Sequence, residues 1–216
     1  MVARLVIADA PGVKRDTDKE RDMIRTGDII ENPVTGERMR FLEASDETGG
    51  EYTLIELTLA PRGFVAMAHM HPYQTETFEV VSGTVTFKVA GETVTAEAGD
   101  VVTVEPGQAH KFWNVGETEA VFRTEVRPSL KFEQMVETMF ALAADGKTNK
   151  KGMPNPIRLA VIAKAYFDDV RLPFPPVALQ RLGLALGAPT GRLFGYEQTY
   201  AVVPASAPAG LAIAEA

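Results

Sequence analysis

From Gly27 to Pro128 the chain is a succession of short runs in which apolar and polar residues alternate, separated by turn residues. A period of two puts successive side chains on opposite faces of a strand, so this texture demands β-structure. In GDIIENPVTGERMRFLEA, Asn32, Pro33 and Gly36 mark a turn between two strands. Further on, Tyr52, Leu54, Glu56, Thr58 and Ala60 alternate against Thr53, Ile55, Leu57 and Leu59, with one face clearly the apolar one. VTFKVAGETVTAEAGDVVTVEPG gives two runs joined at Gly91 and Glu92, a hairpin signal, and a third after Gly99 and Asp100. Many short strands at regular spacing imply an all-β barrel or sandwich and exclude alternating strand–helix units.

After Pro128 the spacing becomes helical. Phe132, Met135, Val136, Met139, Phe140 and Ala143 fall on one helical face, with Ser129 placed to cap the start and Gly146 to end it. A second helix opens at Asn155 and Pro156 and carries Leu159, Ile162, Ala163, Tyr166, Phe167 and Val170 as its stripe. The stretch VALQRLGLALG is apolar on nearly every side, which predicts burial over contact with a partner or a membrane surface. The expected organisation is an N-terminal arm at 1–26, a β-barrel at 27–128, a helical extension at 129–200 and a flexible tail at 201–216. The extension's stripes would serve equally as a lid on the barrel, as packing on its outer sheet or as a dimer interface, and packing with homodimer formation is the favoured expectation.

Acidic residues outnumber basic ones 29 to 22, and the net charge of −7 argues against nucleic acid as a partner. The N-terminal apolar patch is short and is followed at once by charge, unlike a signal peptide, and no apolar run is long enough to span a bilayer. A cytoplasmic location is the expectation. Without cysteine, any metal must be held by histidine or oxygen ligands.

Histidine occurs three times, as His69, His71 and His110. His69 and His71 at i and i+2 project from the same face of a strand, so their imidazoles can converge on one ion. Glu76 follows the bend at Pro72 and Tyr73 and can complete a mixed nitrogen and oxygen site, and His110 shares a face with Phe112 and Asn114 on a later strand. Such a set suits a divalent transition metal: iron, manganese, nickel, cobalt, copper or zinc. Gly63, Gly83, Gly99 and Gly107 read as turn scaffold, Phe78 and Phe112 as core or pocket wall, Trp113 as pointing the other way, and Asn114 as a turn or supporting residue.

The spacing of Gly63, His69, His71, Glu76 and Gly83 resembles the first signature of the cupin superfamily, and Gly99, Gly107, His110 and Asn114 in GDVVTVEPGQAHKFWN resemble the second. The usual proline of the second signature is Glu105 here, beside Pro106. The resemblance covers about residues 27 to 127 and implies a jelly-roll barrel with the metal inside, commonly paired as a dimer. A divalent ion with three neutral imidazoles and one carboxylate carries about one positive charge and leaves room for a small anionic or bidentate substrate. The leading expectation is a metal-dependent enzyme acting on a small organic molecule, most like the cupin dioxygenases, with Glu76 as general base if it leaves the ion. The alternatives are a non-redox isomerase, lyase or cyclase, and a non-catalytic small-molecule-binding protein.

Overall fold

The computed structural model describes residues 24–202 and 205–206. Most of the N-terminal arm and most of the tail therefore lie outside the described residues. The strands are β1 (Asp28–Asn32), β2 (Glu37–Glu43), β3 (Thr53–Leu59), β4 (Thr75–Ser82), β5 (Thr84–Val89), β6 (Glu92–Glu97), β7 (Val101–Val104), β8 (His110–Trp113), β9 (Ala120–Arg127) and β10 (Ala205–Ser206). The helices are α1 (Phe132–Ala144), α2 (Pro156–Ala165) and α3 (Val177–Leu193). A seven-stranded sheet in the order β10-β1-β2-β3-β9-β4-β7 faces a three-stranded sheet in the order β6-β5-β8, and all pairings are antiparallel.

Alternation decides which side chains meet between the sheets. Phe41, Ile55, Leu57, Leu59, Val80, Phe122 and Val126 of the larger sheet are buried, as are Val85, Phe87 and Phe112 of the smaller. Phe78, Phe87, Phe112 and Phe122 form one cluster with ring centroids 5.1–6.1 Å apart. Burying a phenylalanine contributes about 1.5–3 kcal/mol, so this cluster anchors the barrel. The β5–β6 hairpin turns through Ala90 and Gly91, at φ 49° and 97°, one residue earlier than the sequence reading placed it. A two-residue hairpin loop with both φ values positive leaves Val89 and Glu92 paired, so Glu92 opens a strand.

The extension departs from expectation in several places. Ser129 does not cap α1; Lys131 is the N-cap residue and contributes no side-chain bond. Ser129 lies too early, and its hydroxyl instead accepts from Thr53 Oγ1 at 2.9 Å while its carbonyl accepts from Phe132 N–H. Asn155 caps α2 as its sequence suggests, accepting from Arg158 N–H at 2.9 Å. α3 is not uniformly buried: it runs on through Pro189 and packs one face on α2, while Leu179, Leu182 and Leu186 are 57%, 58% and 67% exposed. Among the described residues, no helix is long and apolar enough to cross a membrane. Within the tail expected to be flexible, Ala205 and Ser206 pair with Ile29 and Asp28 at the sheet edge.

The apolar stripes of the extension face the barrel's opening. A cavity of about 470 Å³ is walled by Met39, Ile55, Leu57, Phe78 and Phe112 from the barrel, and by Phe132, Met135, Met139, Phe140, Leu159, Ile162 and Tyr166 from α1, α2 and the turn after α2. The helices thus cover the cavity, as the lid among the alternatives would. The barrel mouth supplied the apolar surface that those stripes required.

Candidate metal centre

Of the four residues singled out by their spacing, His69 and Glu76 line the cavity, and His71 and His110 stand beside them. β4 carries Glu76 between Val126 of β9 and Val104 of β7, which fixes its carboxylate toward the interior. His110 begins β8, and the extended segment bearing His69 lies directly opposite it, with backbone bonds of 3.0 and 2.8 Å running both ways between the two residues. His71 follows two residues later on the same side, its ring 5.0 Å from that of His69, and its carbonyl accepts from Gly107 N–H at 2.8 Å. One ligand atom from each of His69, His71, Glu76 and His110 lies within 4.8 Å of all the others.

Hydrogen bonding fixes which ring nitrogens face inward. Nδ1 of His69 faces the Met67 carbonyl at 2.9 Å, and that of His110 faces the Gln108 carbonyl at 3.3 Å. Nδ1 of His71 faces two acceptors, Gln74 Oε1 at 2.9 Å and the Asp169 carbonyl at 2.7 Å. Each Nδ1 therefore carries hydrogen, and a neutral ring then presents Nε2 as a lone pair. Nε2 of His71, Nε2 of His110 and Oε2 of Glu76 are buried with no hydrogen-bond partner among the described residues. His110 Nε2 stands 2.7 Å from Glu76 Oε2, and His71 Nε2 stands 3.5 Å from it, close enough for charge to act but without hydrogen-bond geometry. Electron-rich atoms converging in a buried pocket repel one another unless a proton or a cation lies among them. Three imidazoles and a carboxylate match a divalent transition metal, and these residues could hold one.

The same crowding sets the ionisation. Burial pushes the Glu76 carboxyl up, but the charges of His71 and His110, the contact with His110 and the charge of His69 together hold it at about 2. Burial, reinforced by His110 and His71, lowers His69 to about 3. For His110, burial pulls down and the Glu76 carboxylate pulls up, and the carboxylate wins. The Glu76 carboxylate thus favours a proton on His110 when no cation lies beside it.

Two supporting residues escaped the sequence reading. Gln74, 1% exposed, donates from Nε2 to the carbonyls of Pro128 at 3.0 Å and Ser129 at 2.9 Å, which turns its Oε1 toward His71. Its place between two candidate ligands was the available signal. Asp169 acts through its backbone carbonyl, and no residue type announces that. Phe78 and Phe112 line the cavity, Trp113 sits on the opposite side with the Lys111 ammonium 5.1 Å from its ring centre, and Asn114 donates to the carbonyls of Leu59, Ala60 and Thr118 as turn scaffold.

Residues 55–126 match the family model described as the cupin domain. Among solved structures, the chain is similar to a predicted oxalate decarboxylase from Thermotoga maritima, 24% identical over 43% of this chain and 80% of that one, with a TM-score of 0.41. It is similar to an RmlC-like cupin from Shewanella frigidimarina, 19% identical over 48% and 86% of the two chains, TM-score 0.41. KdgF from Halomonas sp. aligns at 13% identity over 46% and 84%, TM-score 0.41. No curated protein matches the chain in sequence.

Proposed function

Residues 55–126 of this chain match the cupin-domain model, and from that premise we propose that it is a cupin and a metal-dependent enzyme acting on a small organic molecule, most like a dioxygenase. His69, His71, Glu76 and His110 are its ligands in this proposal. The observation that carries the reading is the set of inward-facing Nε2 and carboxylate atoms without hydrogen-bond partners among the described residues, beside an apolar cavity. A divalent transition metal there would supply Lewis acidity and, if redox-active, would let dioxygen react with a bound substrate.

The chain's own residues do the rest. Nδ1–H bonds to Met67, Gln74, Asp169 and Gln108 hold the three rings in one tautomer and one orientation. The apolar wall excludes water, which strengthens every electrostatic interaction at the ligands. A volume of about 470 Å³ lies within the range that holds drug-sized molecules. Glu76 is a weak base where it stands, with its pKa held at about 2, so we assign it to the metal; as a general base it would have to leave the histidines first.

Elemental analysis of untagged, freshly purified protein tests the reading. About one equivalent of redox-active metal, followed by oxygen uptake with enolisable or catecholic substrates, is the expected result. Zinc without oxygen uptake would transfer the proposal to isomerase, lyase or cyclase chemistry. No metal after reconstitution would refute it.

A further inference from the structure

The cavity has a second polar patch away from the metal centre. Asn32 and Glu37 are cross-strand partners on β1 and β2, both buried, and both line the cavity. Asn32 Oδ1 is engaged by the backbone N–H groups of Val34 and Thr35, and Glu37 Oε2 accepts from Thr35 Oγ1 at 2.7 Å. These bonds hold the hairpin, and the one from Thr35 engages a single oxygen of the Glu37 carboxyl. The Thr124 hydroxyl on β9, buried and without a hydrogen-bond partner among the described residues, also lines the cavity, but its row crosses β3 at Ile55, nearer the Glu76 row than the Glu37 row. A stable fold rarely leaves buried polar groups under-satisfied beside an apolar void, and a bound ligand is one resolution for Glu37.

The sheet register separates this patch from the metal centre. The row through Glu37 crosses β3 at Leu59, and the row through Glu76 crosses it at Thr53. Six residues of strand correspond to about 20 Å measured along the sheet. One molecule filling the cavity would be apolar through its length and polar at both ends.

We propose that Glu37, with Asn32 beside it, is the specificity residue for a hydroxyl group on the far end of a mainly apolar substrate whose other end reaches the metal centre. The metal end of this inference rests on the function proposed above; the hydroxyl end does not. A hydroxyl fits because it both donates and accepts. Burial raises the Glu37 carboxyl to about 7, with the Thr35 bond opposing, so acid and carboxylate forms coexist near neutrality and a hydroxyl satisfies either. A permanent cation would have to shed its hydration within an apolar wall, at a far greater cost than a hydroxyl.

The test uses the full-length protein as purified and three probes that share a phenylbutyl body: phenylbutanol, phenylbutylamine and butylbenzene. None is long enough to reach both ends. By calorimetry, phenylbutanol is expected to bind about two- to tenfold more tightly than butylbenzene, as one net hydrogen bond would give. Glu37→Leu should erase that preference without weakening butylbenzene, and Glu37→Gln, which keeps the shape and hydrogen bonding, should retain it. Metal content is measured in every sample. A preference that survives Glu37→Leu overturns the proposal, as does tighter binding of phenylbutylamine than of the alcohol. A Glu37-dependent preference in protein that holds no metal would uphold the patch and defeat only the metal reading.

Discussion

Replacing Gln74 with leucine separates support of the metal centre from support of the fold. The change keeps volume and removes three polar contacts at once. The Pro128 carbonyl would lose its Gln74 donor, while the Ser129 carbonyl keeps Phe132 N–H. One orphaned carbonyl costs about 1–3 kcal/mol, and the lost bond to His71 about 1 kcal/mol more. Stability should fall by about 2–4 kcal/mol, which in a chain of this size lowers Tm by about 4–16 °C. Removing a partner that orients a ligand histidine weakens metal binding by about 10- to 100-fold. The Asp169 carbonyl still holds His71 Nδ1 at 2.7 Å, so the loss should sit near the lower limit. Thermal melting of metal-free protein reads the first effect, and competition against a chelator at fixed pH reads the second. If Tm falls as computed while metal affinity stays within about twofold, Gln74 is only a strut and the argument that His71 needs orienting is wrong.

Metal affinity should decline on acidification from a point above the ordinary histidine value of 6.5, because His110 is raised and must lose its proton before it can bind. Chelator competition between about pH 5 and pH 8 tests this, and a flat profile would remove His110 from the ligand set. For metal-free protein, the depressed Glu76 stabilises above its ordinary 4.5 and loses that contribution as pH falls through 4.5 toward about 2. His69, kept neutral down to about 3, costs stability in the same direction below 6.5, while the raised His110 opposes it there, so circular dichroism should report stability lost chiefly below about 4.5, and a stability that does not fall toward pH 2 would refute the Glu76 shift. His71→Ala should strip metal while Glu105→Pro retains it, since the latter costs only the bond from Glu105 N–H to Gln108; equal metal content by elemental analysis would mean the ligands are misassigned. At Gly191 an added Cβ would meet Val161 Cγ2 at 2.4 Å and the Ile157 carbonyl at 2.8 Å, so Gly191→Ala should cost about 1–3 kcal/mol by thermal melting, and an unchanged Tm would refute the α2–α3 packing.

The barrel and its candidate ligands were legible because both are written in local periods. Alternation at residues 53–59 gives the buried face of β3 directly, and an HxH pair on extended chain puts His69 and His71 on one side whatever the rest of the chain does. Legibility ended where partners are distant in sequence. Ser129 looks like a helix cap, yet its hydroxyl is taken by Thr53 from across the molecule. The leucines of α3 look like core, but Gly187 and Gly191 allow close approach to α2 and turn the helix's other face outward. Glu37 gave no sign of its burial, because a glutamate beside a turn ordinarily faces water.

The helical extension and the candidate metal centre form one unit. Met70, between the two neighbouring histidines, exchanges both backbone bonds with Arg171 at 2.9 Å, and Asp169 in the same turn accepts from His71. Asp169 in turn binds Lys131 N–H at the start of α1 through its carboxylate, at 2.7 Å. The segment that follows α2 therefore orients a candidate ligand, extends the strand that carries it and ties the first helix down. Displacing the cover would break the bonds that aim His71, so access to the cavity and the geometry of the ligands cannot be adjusted independently. The same cover keeps the Glu76 environment dry, and it is in that low-polarity setting that the histidine charges can outweigh the cost of burying its carboxylate.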